Sequence, residues 1–311
     1  MSPELQGHLA MLAFSALVAG SFSLGSLIAG DIAPVALTAA RFWIAAAVIG
    51  ALGLLRTGLP LAHFRAPWRF GVLGGLYAIY FVLMFEGLKT APPVNAAAVF
   101  TLIPAMAALF GWLLLRQVFT ARIALALAMG AVGALWVIFR GDPGAMADMR
   151  IGRGEIVYFW GCVAHALYAP MVPRLNRGEP AVDFSFGMIV AGAILLTACG
   201  WPAIAATGWS ALPARVWVGL LYLAVFASAA TFVLTQFAAL RLPASKVMAY
   251  TYLTPSWVIL WEIALGHGAP PTLILIGVAT TAAALLILLK PATAGRAGRR
   301  DRPNPTDKTG G

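Results

Sequence analysis

Ten times along its 311 residues the chain runs apolar for about as long as a helix needs to cross a bilayer. Roughly 30 Å of hydrocarbon takes about 20 helical residues. The runs fall near residues 7–29, 33–55, 68–88, 94–115, 120–139, 155–173, 183–205, 213–236, 244–266 and 271–290. Punctuation such as "RTGLP", "TAPP", "RGDPG", "NRGEP" and "GHGAPP" separates them. Only 10% of residues are charged and 61% are hydrophobic, against about 25% charge in a soluble domain. The sequence therefore predicts an all-α, polytopic membrane protein. The first run, from near Gly7, lacks a basic leader and a small-residue cleavage site, so it reads as a retained helix.

The net charge of +10 raises nucleic acid as a partner, but the basic residues stand singly between apolar runs, so none is expected. Topology accounts for them better. With the N-terminus inside, the cytoplasmic segments carry Arg56, Arg65, Arg69, Arg116, Arg122, Arg174, Arg177, Arg241, Lys246, Lys290, Arg296, Arg299, Arg300, Arg302 and Lys308. The opposite side carries only Lys89, Arg140, Arg150, Arg153 and Arg215. Both termini are expected in the cytoplasm. Residues 291–311 read as a disordered, basic cytoplasmic tail, solvated or held to anionic lipid. Cys162 and Cys199 lie within apolar runs, where buried free thiols are the default.

The chain also repeats itself. "AAAVFTLIPAMAALFGWLLL" in the fourth run parallels "VMAYTYLTPSWVILWEIALG" in the ninth, with Leu102 and Pro104 matching Leu253 and Pro255. Five spans separate equivalent points, and an odd number per repeat turns the second half upside down. The expected layout is a first repeat over 1–139, an external loop over 140–154 and a second repeat over 155–290. Ten helices in two inverted five-helix repeats would then surround a central cavity.

Within this frame the segments "IAPVALTAARFWIAAAVIG", "YAIYFVLMFEGLKTAPPVNAAAVFTLIPAMAALFGWLLLRQ" and "LRLPASKVMAYTYLTPSWVILWEIAL" resemble the drug/metabolite transporter superfamily. More narrowly they are similar to its ten-helix EamA-type exporters, over nearly the whole chain to Lys290. The shared motifs are the early Arg-Phe pair of the second span, here Arg41 and Phe42, and the small-residue-to-proline pattern of spans four and nine. A glutamate often closes those two spans in the family; here Arg116 and His267 stand there. The resemblance implies export of amino acids and related metabolites, one branch handling aromatic amino acids. A drug or nucleotide-sugar-like permease of the same fold, or a non-transporting scaffold, are the alternatives.

Other chemistries find little footing. A P-loop needs Gly-Lys-Ser/Thr, but the four lysines follow Leu88, Ser245, Leu289 and Asp307. Transport by this chain would draw on a proton or solute gradient. "SFSLG" misses the nucleophile-elbow pattern because Ser21 replaces its first glycine, and no mid-span aspartate could orient His165. No enzyme activity, cofactor or metal site is expected.

Candidate functional residues fall in two sets. Tyr77, Tyr80, Phe81 and Met84 recur at i, i+3, i+4 and i+7, one helical face, and hydroxyls near mid-span are costly against lipid. That face should turn inward to meet His165 and Tyr168, Tyr222 and Phe226, and Tyr252, Thr254 and Trp257, forming an aromatic wall or ordinary helix packing. Thr101, Pro104 and Pro255 mark mid-span breaks, read as a hinge beside the solute or as plain kinks. The second set is charged. Arg41, some way into its span, either ties helices together or meets a substrate carboxylate. Glu86 and Glu262 lie near the outer interface, as wet carboxylates or as proton-coupling groups. Ser21 with Gly25, and Gly71 with Gly75, have the spacing of close helix packing.

Overall fold

The computed structural model describes residues 2–116, 120–144 and 151–289, and among these the ordered elements are all helical. The helices are α1 (Pro3–Ile28), α2 (Pro34–Arg56), α3 (Trp68–Leu88), α4 (Pro93–Phe100), α5 (Ile103–Leu115), α6 (Ala121–Ile138) and α7 (Arg153–Leu175). They continue with α8 (Ala181–Ala206), α9 (Ala214–Ala224), α10 (Thr231–Ala239), α11 (Ala244–Ala249), α12 (Thr254–Ala264) and α13 (Thr272–Leu289). The expected basic tail lies outside the described residues.

Proline sets many of the starts. Pro3, Pro34 and Pro93 occupy the first turn of α1, α2 and α4, where an N–H would have no partner in any case. Ser2 Oγ caps α1 by accepting from the Leu5 N–H at 3.2 Å, and Thr120 Oγ1 accepts from the Ile123 N–H at 3.3 Å at the start of α6.

Nine helical segments among the described residues are long and apolar enough to cross a membrane, counting Pro93–Leu115 and Ala214–Ala239 as single spans. The remaining expected span, the ninth, is present but broken: α11 passes through a 3-10 turn, Tyr250–Leu253, into α12. The fourth span tightens at the matching place, where the N–H groups of Thr101 and Leu102 bond back three residues to Ala98 and Val99, each at 3.0 Å. Both breaks lie just before a proline, Pro104 or Pro255, whose missing N–H cannot continue the ladder. The eighth span is interrupted differently. A π-helical turn, Val225–Ala230, joins α9 to α10.

The packing has two-fold order. α3 packs on α7 as α10 packs on α1, and α5 packs on α7 as α12 packs on α1. α2 pairs with α8, and α6 with α13. Numbering the spans one to ten, exchanging each with its partner five further on returns the same set of neighbours. This is the signature of two inverted five-span repeats.

Close approach depends on small residues, though not all of those expected. A methyl on Gly74 would sit 2.5 Å from the Met188 carbonyl and 2.6 Å from the Gly192 nitrogen, so α3 and α8 cross there backbone to backbone. Gly71 has nothing within 4 Å of such a methyl, and Gly75 meets only Leu195 at 3.6 Å. The Gly71/Gly75 spacing is thus not the packing motif of this helix. The crossing falls on Gly74, between them.

Candidate functional site

The α3 face built from Tyr77, Tyr80, Phe81 and Met84 is buried, none of the four being more than 2% exposed. α7 brings Tyr158, His165 and Tyr168 against it, and α10 brings Phe232 and Gln236. The ring of Tyr77 stands 4.2 Å from that of Tyr168, 4.7 Å from Phe232 and 5.0 Å from His165. Tyr80 lies 4.5 Å from His165 and shares a 3.1 Å hydroxyl–hydroxyl hydrogen bond with Tyr158. Phe42 of α2 and Phe100 of α4 extend the cluster, edge-on to Phe81 and beside His165 respectively. Phe42, Phe100, Tyr158 and Tyr168 are fully buried there.

Its polarity is incompletely satisfied. Gln236 Nε2 donates to the Tyr168 hydroxyl at 2.6 Å, but Gln236 Oε1 and both ring nitrogens of His165 have no partner among the described residues. Each such buried group costs about 1–3 kcal/mol. Ser21, Ser23, Ser185, Thr251 and Thr254 also carry buried hydroxyls without a partner among the described residues, but His165 is the one such group ringed by aromatic side chains.

Arg41 is wholly buried at the edge of the same cluster. It donates to Ser228 Oγ and to the Ala227 carbonyl, both within the π-helical turn, and its guanidinium carbon lies 3.8 Å from the Phe81 ring centre. Both acceptors lie in the wider turn and are shared with their own helix: Ser228 Oγ also donates to the Leu223 carbonyl, and the Ala227 carbonyl also accepts from Thr231 Oγ1.

The remaining predicted residues scatter. Tyr222 donates to the Leu17 carbonyl at 3.0 Å and meets Trp261 edge-on, while Trp257 Nε1 donates to Ser15 Oγ at 3.2 Å, so both serve the seam with α1. Phe226 is 49% exposed and faces outward, contrary to expectation. The expectation fails there because a hydroxyl satisfied by a backbone carbonyl, as in Tyr222, does not force its helix face inward. Tyr252 also goes elsewhere. It packs with Ala108, Ala126, Leu127 and Ala284 over the space left by Gly130, between α5, α6 and α13. Thr101 Oγ1 donates to its own helix at the Ala98 carbonyl, 2.7 Å away, and Thr254, Pro104 and Pro255 are buried at the breaks. Glu86 accepts from Lys89 Nζ at 2.6 Å in an exposed pair, and Glu262 pairs with His267 Nδ1 at 2.8 Å. Cys162 is buried, whereas Cys199 is exposed on α8, against expectation: it lines an outward-facing apolar groove rather than the core. That groove, about 400 Å³ between α2, α3 and α8, has almost wholly apolar walls and offers no chemistry.

Two members of the cluster escaped the sequence reading although signals for them existed. Tyr158 is one heptad before His165 and so shares its face, and Gln236 is a carboxamide inside an apolar run, a marked residue in any membrane span.

A two-fold array of membrane-crossing helices closed around a buried aromatic cluster defines a multi-pass α-helical membrane protein. The chain belongs to the EamA-like transporter family, whose model matches residues 5–139 and again 152–290. It is 26% identical over 196 residues to an uncharacterized transporter, YyaM, of Bacillus subtilis, covering 62% of this chain and 64% of that protein. It is 39% identical over 111 residues to the aromatic amino acid exporter YddG of Ancylobacter novellus, covering 35% of this chain and 36% of the relative. The chain thus matches less than two thirds of the length of either relative. A solved crystal structure superposes with a TM-score of 0.69 at 23% identity, over 93% of this chain and 97% of the other, a likeness of fold.

Proposed function

We propose that this chain is a secondary exporter of amino acids, ring-bearing ones foremost, working by alternating access in a bacterial inner membrane with both termini cytoplasmic. The observation that carries the reading is the buried cluster of Tyr77, Tyr80, Tyr168 and Phe232 around His165 and Gln236, where the two imidazole nitrogens and the carboxamide oxygen lack partners among the described residues. An aromatic or alkyl body would replace ring–ring contacts at little cost. A neutral imidazole offers one donor and one acceptor, and the carboxamide oxygen accepts from an ammonium group. The repeats over 1–139 and 155–290 would rock about this centre, and a proton or solute gradient would drive the cycle. The exporter named among the relatives supports the amino-acid reading.

A nucleotide-sugar-like permease needs several cations for phosphate, whereas Arg41 alone borders this cluster, and Ser228 and Ala227 hold two of its three nitrogens. A scaffold gains nothing from unpaired buried polar atoms. The test is solute flux in reconstituted vesicles across an amino-acid panel, with and without a pH gradient. His165→Leu and Gln236→Leu should each cut flux of the best substrate by about tenfold, one lost hydrogen bond in a dry site; His165→Leu should keep the wild-type melting temperature, whereas Gln236→Leu also loses the Tyr168 bond and should melt somewhat lower. Unchanged flux in both would place the solute elsewhere.

A further inference from the structure

Two ion pairs occupy equivalent places in the two repeats. The loop after α1 carries Gly30-Asp31, and the loop after α7 carries Gly178-Glu179. α3 is entered through Pro67-Trp68-Arg69, and α9 through Pro213-Ala214-Arg215. Arg69 Nη2 donates to Glu179 Oε1 at 2.7 Å. Arg215 grips Asp31 through Nε and Nη2, both at 2.9 Å. Each acid thus belongs to one repeat and each arginine to the other. Because the repeats are inverted, the pairs lie on opposite faces of the membrane.

Their surroundings differ. Arg69 and Glu179 are nearly buried, with side chains 2% and 6% exposed, and Arg69 also donates to the carbonyls of Leu175 and Arg65 at 2.6 and 2.9 Å. Glu179 Oε2 takes a further 2.6 Å bond from the Arg177 N–H. The side chains of Arg215 and Asp31 are 64% and 23% exposed and bond only to one another among the described residues. Removing one partner from a buried pair strands the other charge away from water and so costs more than it does in an exposed pair. Both are made here, together with a closed aromatic centre.

We propose that these pairs are the two latches of alternating access: Asp31–Arg215 closes one face and Glu179–Arg69 closes the other, each breaking only while its counterpart is made. The proposal rests on the transport reading above. It makes the pair on the face expected to be cytoplasmic the stronger lock and the other the one that yields first.

The test reads conformation without needing flux. Ile28 and Leu175, the buried last residues of α1 and α7, sit beside the respective latches. Single Ile28→Cys and Leu175→Cys reporters, made in full-length protein carrying Cys162→Ala and Cys199→Ala, are labelled with an impermeant maleimide from either side. Asp31→Asn should speed labelling at position 28 about threefold, the scale of an exposed pair, and slow it at position 175. Glu179→Gln should do the reverse, by tenfold or more for a buried pair. Exchanging the exposed pair, Asp31→Arg with Arg215→Asp, should restore both rates. Acceleration at both reporters, or a change at neither, with Asp31→Asn would make the pairs static staples and overturn the proposal. Because Asp31–Arg215 is exposed, that arm decides even if Glu179→Gln fails to fold. Flux without reciprocity would sink the latches alone. Reciprocity without flux of any solute would sink the transport reading alone.

Discussion

Replacing Arg41 by alanine removes two charge-assisted hydrogen bonds, to Ser228 and Ala227, and the contact over Phe81. The bonds contribute about 1.5 kcal/mol each, and a desolvated cation–π contact about 2 kcal/mol. Opposing them is the cost of keeping a charge from water, several kcal/mol after relaxation. The acceptors are not stranded either. Ser228 Oγ still donates to the Leu223 carbonyl at 2.8 Å, and the Ala227 carbonyl still accepts from Thr231 Oγ1 at 2.9 Å. The polar terms therefore nearly cancel, and what remains is the hole left by the side chain. Arg41→Met, which fills it, should stay within about 1 kcal/mol of the natural chain, as buried ion-to-apolar exchanges often do. Arg41→Ala should cost about 2–4 kcal/mol. In detergent micelles, followed by loss of the monodisperse chromatographic peak on heating, alanine should lower the midpoint by roughly 4–12 °C. Yield and transport should fall with it. Alanine melting like the natural protein, with only a raised half-saturating solute concentration, would make Arg41 a solute contact. Methionine melting as low as alanine would show that the charge, not the volume, holds the second span to the eighth.

Other outcomes follow from packing and topology. Gly74→Ala should lower stability by about 1–3 kcal/mol through overpacking against the α8 backbone, whereas Gly71→Ala, with open space around it, should melt at or slightly above the natural midpoint. Phe226→Leu, on an outward face, should leave flux unchanged and stability within about 0.5 kcal/mol; a large loss of flux would return that ring to the site. A reporter fused after Gly311 should read as cytoplasmic and one inserted near Ala145 as external; both on one side would break the ten-span count.

The inward turn of the α3 face is legible in the amino-acid sequence. Four residues at helical spacing include two mid-span hydroxyls, and hydroxyls away from water must find protein. The same rule misleads for Tyr222, whose hydroxyl finds the Leu17 carbonyl in the seam with α1, and for Phe226, which has no polar atom to constrain it. For Tyr252 the rule gives burial correctly, but burial in a bundle of ten segments has more than one address, and Gly130 makes room for it between α5, α6 and α13.

By itself the sequence determined the number of spans, their alternating direction and the inverted repeat. The length of an apolar run is matched against one fixed bilayer thickness, and five crossings cannot return a chain to its starting side. It also located the backbone breaks, because proline lacks its N–H in any environment. Only the tertiary structure decided how each helix is rotated and which polar groups meet. Lipid is as apolar as a protein core, so hydrophobicity does not separate an inward face from an outward one. Rotation is set instead by backbone contacts such as Gly74 on Gly192 and by long-range bonds such as Arg41 to Ser228, Gln236 to Tyr168 and Arg69 to Glu179. Each of those joins residues far apart along the chain, and which of them pair is fixed only when the two repeats close on one another.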